Sequence, residues 1–351
     1  MWIRKHWSET ADRSSSNWVV CALELPFLRL RRRAWFPAAT AVIWGALVFL
    51  LGWCLALLVS VGDCYLETRT IRAACLDIAW VLGSVFWGLR QLPWLIDGLE
   101  NCFVAVNYAE AAEKWKGRFF SNAWMLACFA VVFAVGATAL YLGMFHGNPH
   151  STHHVFPACW YQGDRSAKFW LLLTVGFFAS LAAGAGISLF AVNLPFAFSL
   201  LKLPVVPLPN VLLAKPRPMS DFYVAGTLAW FVAVGLTAYI FFQNMSDTAI
   251  GFLLVTSVIG LTAFIVPQVI FHILVVRALS QMADEAYQEL RRWSEDQDVT
   301  NLSFLLKGVN DSVKANSMWV FDRSDVASLL VPELITIVGL ILKSGIVGRH
   351  F

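Results

Sequence analysis

Apolar runs too long for a soluble core alternate along the chain with short polar connections. Residues 37–61, 124–145, 169–200, 222–242 and 249–276 are each near or above the roughly 20 residues that a helix needs to cross about 30 Å of hydrocarbon. Two shorter runs, 73–89 and 326–342, lie at the lower edge of that range. The first carries Asp77 and ends at Arg90; the second carries Pro332 and Glu333. The most extended pattern covers residues 248–299. No formally charged residue occurs from Ile250 up to Arg277, and His272 is the one readily titratable group before it. Beyond the apolar run, Ala283, Ala286, Tyr287, Leu290 and Trp293 recur at helical spacing, with Asp284, Glu285, Glu289, Arg291 and Arg292 mostly on the other side. This predicts one helix that begins in the membrane and leaves it as an amphipathic stalk.

Charge placement decides whether residues 73–89 cross. If they do, and the last run does too, 20 of the 26 Lys and Arg residues fall on the side of the amino terminus. If they do not, every later loop changes sides and the bias disappears. Positive charge accumulates on the cytoplasmic face, so the first arrangement is the expected one. The fold class that follows is all-α: a polytopic helical membrane protein of about seven transmembrane helices with a cytoplasmic helical stalk. Its parts are a cytoplasmic amino-terminal segment (1–36), a six-span bundle (37–278), a stalk region (279–325), and a last membrane helix with the carboxy terminus (326–351). The amino terminus is expected in the cytoplasm and the carboxy terminus outside. Residues 203–220 hold five of the thirteen prolines and read as an extended cytoplasmic linker.

Composition agrees: 58% of residues are hydrophobic and 14% charged, against about a quarter charged in soluble chains. The net charge of +3 is spread along the chain, and no basic tract is interleaved with aromatics, which argues against nucleic-acid binding. The polar first 35 residues do not have the form of a cleavable signal, so the first span is expected to serve as its own targeting signal. Seven cysteines include no CxxC pair, and no cofactor is implied. Cys64 and Cys159 fall in the first two outer loops and would be the pair exposed to an oxidising compartment, either bridged or as two separate thiols.

Four of the seven histidines, His146, His150, His153 and His154, lie within nine residues of an outer loop. Their HxxxH and HxxHH spacings resemble the histidine boxes of membrane desaturases and hydroxylases, which implies a metal-binding site. The pattern departs from that family in number, since His6, His272 and His350 alone remain, and in Pro149, which breaks the helix between the first pair. A histidine-rich polar loop, a metal site and a pH-sensing site all fit these residues. Ionisable groups at membrane depth are costly, which makes Asp77 and Glu333 candidates for a pore or polar pathway. Asn193-Leu-Pro195 and Val266-Pro267-Gln268 would interrupt their spans, while Gly176, Gly184 and Gly186 offer a smooth face for helix packing.

No phosphate-binding loop, nucleophile elbow, HExxH or K⁺-filter sequence is present, and the chain is not expected to be an enzyme. The leading expectation is an oligomeric ion channel or ligand-gated pore in the lipid bilayer, a homo-oligomer joined through the stalk or the last helix. In that reading Ala283, Tyr287, Leu290 and Trp293 form the stalk interface. The layout is similar in outline to the insect odorant and gustatory receptor channels, with seven spans, a cytoplasmic amino terminus and an intracellular helical anchor before the last span. The aromatic, Gln-containing signature of that family's last helix has no counterpart in residues 326–351. The alternatives are a membrane subunit that docks a soluble cytoplasmic partner through its stalk, and a transporter or exporter with sites near Pro195 and Pro267.

Overall fold

The computed structural model describes residues 36–146, 158–160, 164–206, 216–241 and 247–294. The expected amino-terminal segment up to residue 35, residues 295–325 of the stalk region and the expected last span, with Glu333, lie outside the described residues. Within them the chain is helical apart from connections and one isolated antiparallel bridge between Phe103 and Val205. Six long helices follow in order: α1 (Phe36–Leu58), α3 (Arg69–Gly98), α5 (Asn122–Tyr141), α6 (Arg165–Leu200), α7 (Pro216–Phe241) and α8 (Asp247–Ser294). Two short ones intervene, α2 (Gly62–Glu67) and α4 (Ala105–Phe119). Among the described residues, six helices are long and apolar enough to cross a membrane. The borderline run 73–89 lies inside the 30-residue α3, whose length exceeds its apolar stretch at both ends.

Helix α3 is the hub. It packs against α1, α7 and α6; α6 in turn carries α5 and α8, and α7 pairs with α8. Ile78, Leu82, Val85, Phe86, Leu89, Leu92 and Ile96 follow three- and four-residue spacing along α3 and are buried against the bundle, where Ala182, Ala185, Leu189, Val192 and Phe196 of α6 are also buried. In lipid, burial from water does not drive such contacts; close van der Waals packing does, and small residues permit it. A Cβ on Gly184 would stand 2.6 Å from Cα and 2.7 Å from N of Phe129, so α6 and α5 touch nearly backbone to backbone there. Gly176 has no neighbour within 4 Å of its own Cβ position, so the smooth face predicted from these glycines is used at Gly184 and not at Gly176.

The ends of the helices follow local chemistry. α1 stops in a Schellman turn: Val61 N–H donates to Ala56 O (2.9 Å) and Ser60 N–H to Leu57 O (3.1 Å), with Ser60 in the left-handed region at φ 59°. Asp164 caps α6 by accepting from Ser166 N–H (2.9 Å) and Ala167 N–H (3.2 Å). The expected interruptions at Pro195 and Pro267 fall inside continuous helices, as does Pro93 in α3. Each proline removes one backbone donor, and the turns on either side hold the helix through the gap. α8 is 48 residues long, about 72 Å at 1.5 Å per residue, more than twice the hydrocarbon thickness.

Both ends of the bundle are closed by short elements. At one end a disulfide joins Cys64 of α2 to Cys159, with Cα atoms 6.4 Å apart. Beside it Trp160, fully buried, donates from Nε1 to Thr68 Oγ1 (2.9 Å), and Lys168 Nζ donates to Cys159 O (2.7 Å). Tyr65 donates to Phe49 O (3.1 Å), and burial pushes its phenol well above the usual tyrosine range, so it remains a donor. At the opposite end α4 lies against the bundle through Tyr108, Ala112, Trp115 and Phe119, spaced four, three and four residues apart. Trp115 and Phe119 pack edge-on against Phe196, and Tyr108 donates to Ile96 O. Lys116 Nζ joins Asp97 (2.6 Å) and Glu113 (2.8 Å).

Candidate functional site

The seam between α3 and α7 is zipped in antiparallel register. Trp87 stacks on Phe222 at 5.4 Å, Trp80 Nε1 donates to Ala229 O (2.8 Å), and Thr237 Oγ1 donates to Asp77 Oδ2 (3.1 Å). Residue numbers rise on one helix as they fall on the other, so the Asp77–Thr237 pair is the end of a continuous series of contacts. Asp77 lies eight residues into α3, about 12 Å along its axis from the disulfide end. The side chain is half-buried; Oδ2 takes the threonine hydroxyl, while Oδ1 is shielded from solvent and has no hydrogen-bond partner among the described residues. No cation among the described residues pairs with it. A carboxyl group in this position has one of its two oxygens without a partner among the described residues, in a helix otherwise apolar from Ala73 to Gly83.

A second polar group lies toward the opposite end, where α6, α7 and α8 meet. Ser220 Oγ donates to Gln268 Oε1 (2.8 Å) and Gln268 Nε2 to Ser220 O (3.3 Å), with both side chains almost fully buried. Tyr223 donates to Asn193 O (3.4 Å), and Asn193 Nδ2 to Leu189 O (3.0 Å), which leaves Asn193 Oδ1 buried and unbonded among the described residues. The Ser220–Gln268 pair satisfies itself and reads as a clasp between α7 and α8.

The remaining expected site residues are scattered. His146 ends a π-helical turn, Leu142–His146, exposed, with its ring 5.5 Å from Tyr141. His150, His153 and His154 lie outside the described residues, as does Glu333. No group of three His, Cys, Asp or Glu side chains able to hold a metal occurs among the described residues. In α8, Ala283 is half-buried and Tyr287 is 52% exposed; Leu290 and Trp293 lie on the same helix. Sequence reasoning had no means of finding Thr237, one hydroxyl in an apolar span, as the partner of Asp77. The polar spacing of Ser220, Tyr223 and Thr227 along one side of α7 was a legible hint of the other group.

These features define the class: an all-helical chain with several candidate membrane spans, that is, a multi-pass membrane protein. No protein-family model, curated protein or solved structure matches the chain.

Proposed function

We propose that this protein is the subunit of an oligomeric ion channel or ligand-gated pore, with Asp77 on its polar pathway. The observation that carries the reading is the Asp77 carboxyl, held by Thr237 through one oxygen and open at the other, within a membrane helix. The proposed topology has the amino terminus in the cytoplasm, residues 326–342 as a seventh span that brings Glu333 to the pathway, and the carboxy terminus outside. The bridge between Cys64 and Cys159 supports this orientation, because disulfides persist in oxidising compartments and the charge bias independently assigns the same end to the outside. The test is the mass of the detergent-solubilised protein followed by ion flux in liposomes. A discrete oligomer whose flux changes in Asp77→Asn and Glu333→Gln, with folding intact, agrees with the reading. A monomer that passes no ion sinks it.

The exposed Tyr287 favours a second reading, a membrane subunit whose α8 extension docks a soluble partner. In that case Leu290→Asp with Trp293→Asp abolishes partner capture and leaves the span packing unchanged.

A further inference from the structure

We infer that the ion handled at Asp77 is a proton, taken up and released by this carboxyl group, an assignment that rests on the channel reading above. The argument is one of ligand number. A bare metal cation at membrane depth needs its lost hydration replaced, with six to eight oxygens for a calcium-like ion and about six for a magnesium-like one. Here the described side chains offer the carboxyl of Asp77 and one hydroxyl, Thr237 Oγ1. Among the described residues the neighbouring stretches add little: residues 73–83 of α3 bear no side-chain oxygen besides those of Asp77, residues 228–236 of α7 bear none, α1 bears Thr40 alone, near its far end, and Ser180 of α6 turns its hydroxyl toward Gly136 of α5.

A proton has no such requirement. One free carboxyl oxygen suffices, and Oδ1 is that oxygen, shielded and without a partner among the described residues while Thr237 fixes the other. The step is balanced without any further reactant: hydronium on one side gives its proton to the carboxylate and leaves as water, and the carboxylic acid gives the proton to water on the other side. The titratable residues on the elements packed around this level are few. Arg69, Arg72 and Cys75 lie on α3 itself, Cys54 on α1, Asp63, Tyr65 and Glu67 on α2, and Arg165 and Lys168 near the start of α6, where Lys168 is held by Cys159 O; Tyr239 lies two residues beyond Thr237 in α7. Tyr65 is likewise engaged, with Phe49 O. Asp77 is the sole carboxyl group within the apolar stretch of α3, and the pH dependence of flux is expected to follow it.

The experiment uses the full chain in liposomes, with a pH-sensitive dye inside and separate dyes for Na⁺ and K⁺. The expected result is proton flux that falls at least tenfold in Asp77→Asn and survives in part in Asp77→Glu, with no Na⁺ or K⁺ flux. Asn keeps an acceptor for Thr237, so an unchanged elution volume shows that the fold is retained. If Asp77→Asn does not fold, the wild-type protein is treated with dicyclohexylcarbodiimide, an apolar reagent for protonated carboxyl groups, and the adduct is mapped by mass spectrometry. Labelling at Asp77 in step with flux loss supports the inference; flux loss with Asp77 unlabelled overturns it. Na⁺ or K⁺ flux without proton flux, or proton flux unaffected in a folded Asp77→Asn, overturns the proton assignment and leaves the channel reading standing. Absence of flux for any ion removes the channel reading, and the proton assignment with it.

Discussion

Gly184→Ala tests the packing logic of the bundle most directly, because the obstacle it meets is backbone. The added methyl carbon would lie 2.6 Å from Phe129 Cα, 2.7 Å from Phe129 N and 3.2 Å from Cys128 C. Carbon contacts are favourable at about 3.5–4.0 Å, so α5 must retreat by about 1 Å over the crossing, and no side-chain rotation relieves it. Overpacking of this kind costs about 1–3 kcal/mol. Replacing glycine in a helix returns about 1 kcal/mol of propensity, which leaves a net loss of up to about 2 kcal/mol and a variant about 1–3 kcal/mol less stable than one in which the propensity gain acts alone. Gly176→Ala on the same helix is the matched control: nothing lies within 4 Å of its Cβ position, so the propensity gain alone operates. Reversible unfolding in mixed micelles by SDS titration reads both. If Gly184→Ala proves as stable as Gly176→Ala, the α5–α6 crossing described here is wrong. α6 is the principal partner of α5, so the destabilised variant is also expected to expose α5 first, seen as faster thiol labelling of Cys128.

Three further outcomes follow from the ends of the bundle and its polar clasp. Ser60→Gly relieves a left-handed backbone at the close of α1 and is expected to raise stability by up to about 1 kcal/mol in the same titration; a loss would mean that the Schellman turn is misassigned. Reduction of Cys64–Cys159, or its double change to Ser, opens a loop of 95 residues. Free-chain loop entropy sets an upper limit of about 4.7 kcal/mol, and the measured loss should be smaller because the intervening spans remain inserted. Maleimide labelling of both cysteines in the unreduced protein would refute the bridge. A double-mutant cycle on Ser220→Ala and Gln268→Leu should give a coupling of about 0.6 kcal/mol, the average for interhelical hydrogen bonds in membranes, and up to about 1.7 kcal/mol; zero coupling would deny the clasp.

What the sequence made legible was set by physics that acts over one helix at a time. Span length is such a property, and the five strongest runs correspond to α1, α5, α6, α7 and α8. The sixth, α3, was marginal by hydropathy because Asp77 and Arg90 dilute it, and the asymmetry of positive charge carried the decision instead. The amphipathic α4 went unread although Tyr108, Ala112, Trp115 and Phe119 have helical spacing, because Glu110, Glu113, Lys114 and Lys116 give the stretch the look of a polar loop. The prolines were read as breaks because their missing donor is a local fact, while the turns that hold the helix through each gap depend on the surrounding bundle.

Asp77 lies at the boundary between these two kinds of information. Its presence in a membrane run was visible from the sequence and marked it as costly; its hydrogen bond was not, because a pairing across 160 residues is fixed by the register of α3 on α7. That register is set elsewhere on the seam, by the Trp87–Phe222 stack and the Trp80 bond to Ala229 O. The carboxyl group is therefore positioned by apolar contacts up to three turns away. A change such as Trp87→Ala, which touches neither Asp77 nor Thr237, should loosen their hydrogen bond and disturb function together with the packing. The functional reading and the packing of α3 against α7 consequently stand on the same contacts, and a variant that separates them would show that Asp77 is held by something other than this seam.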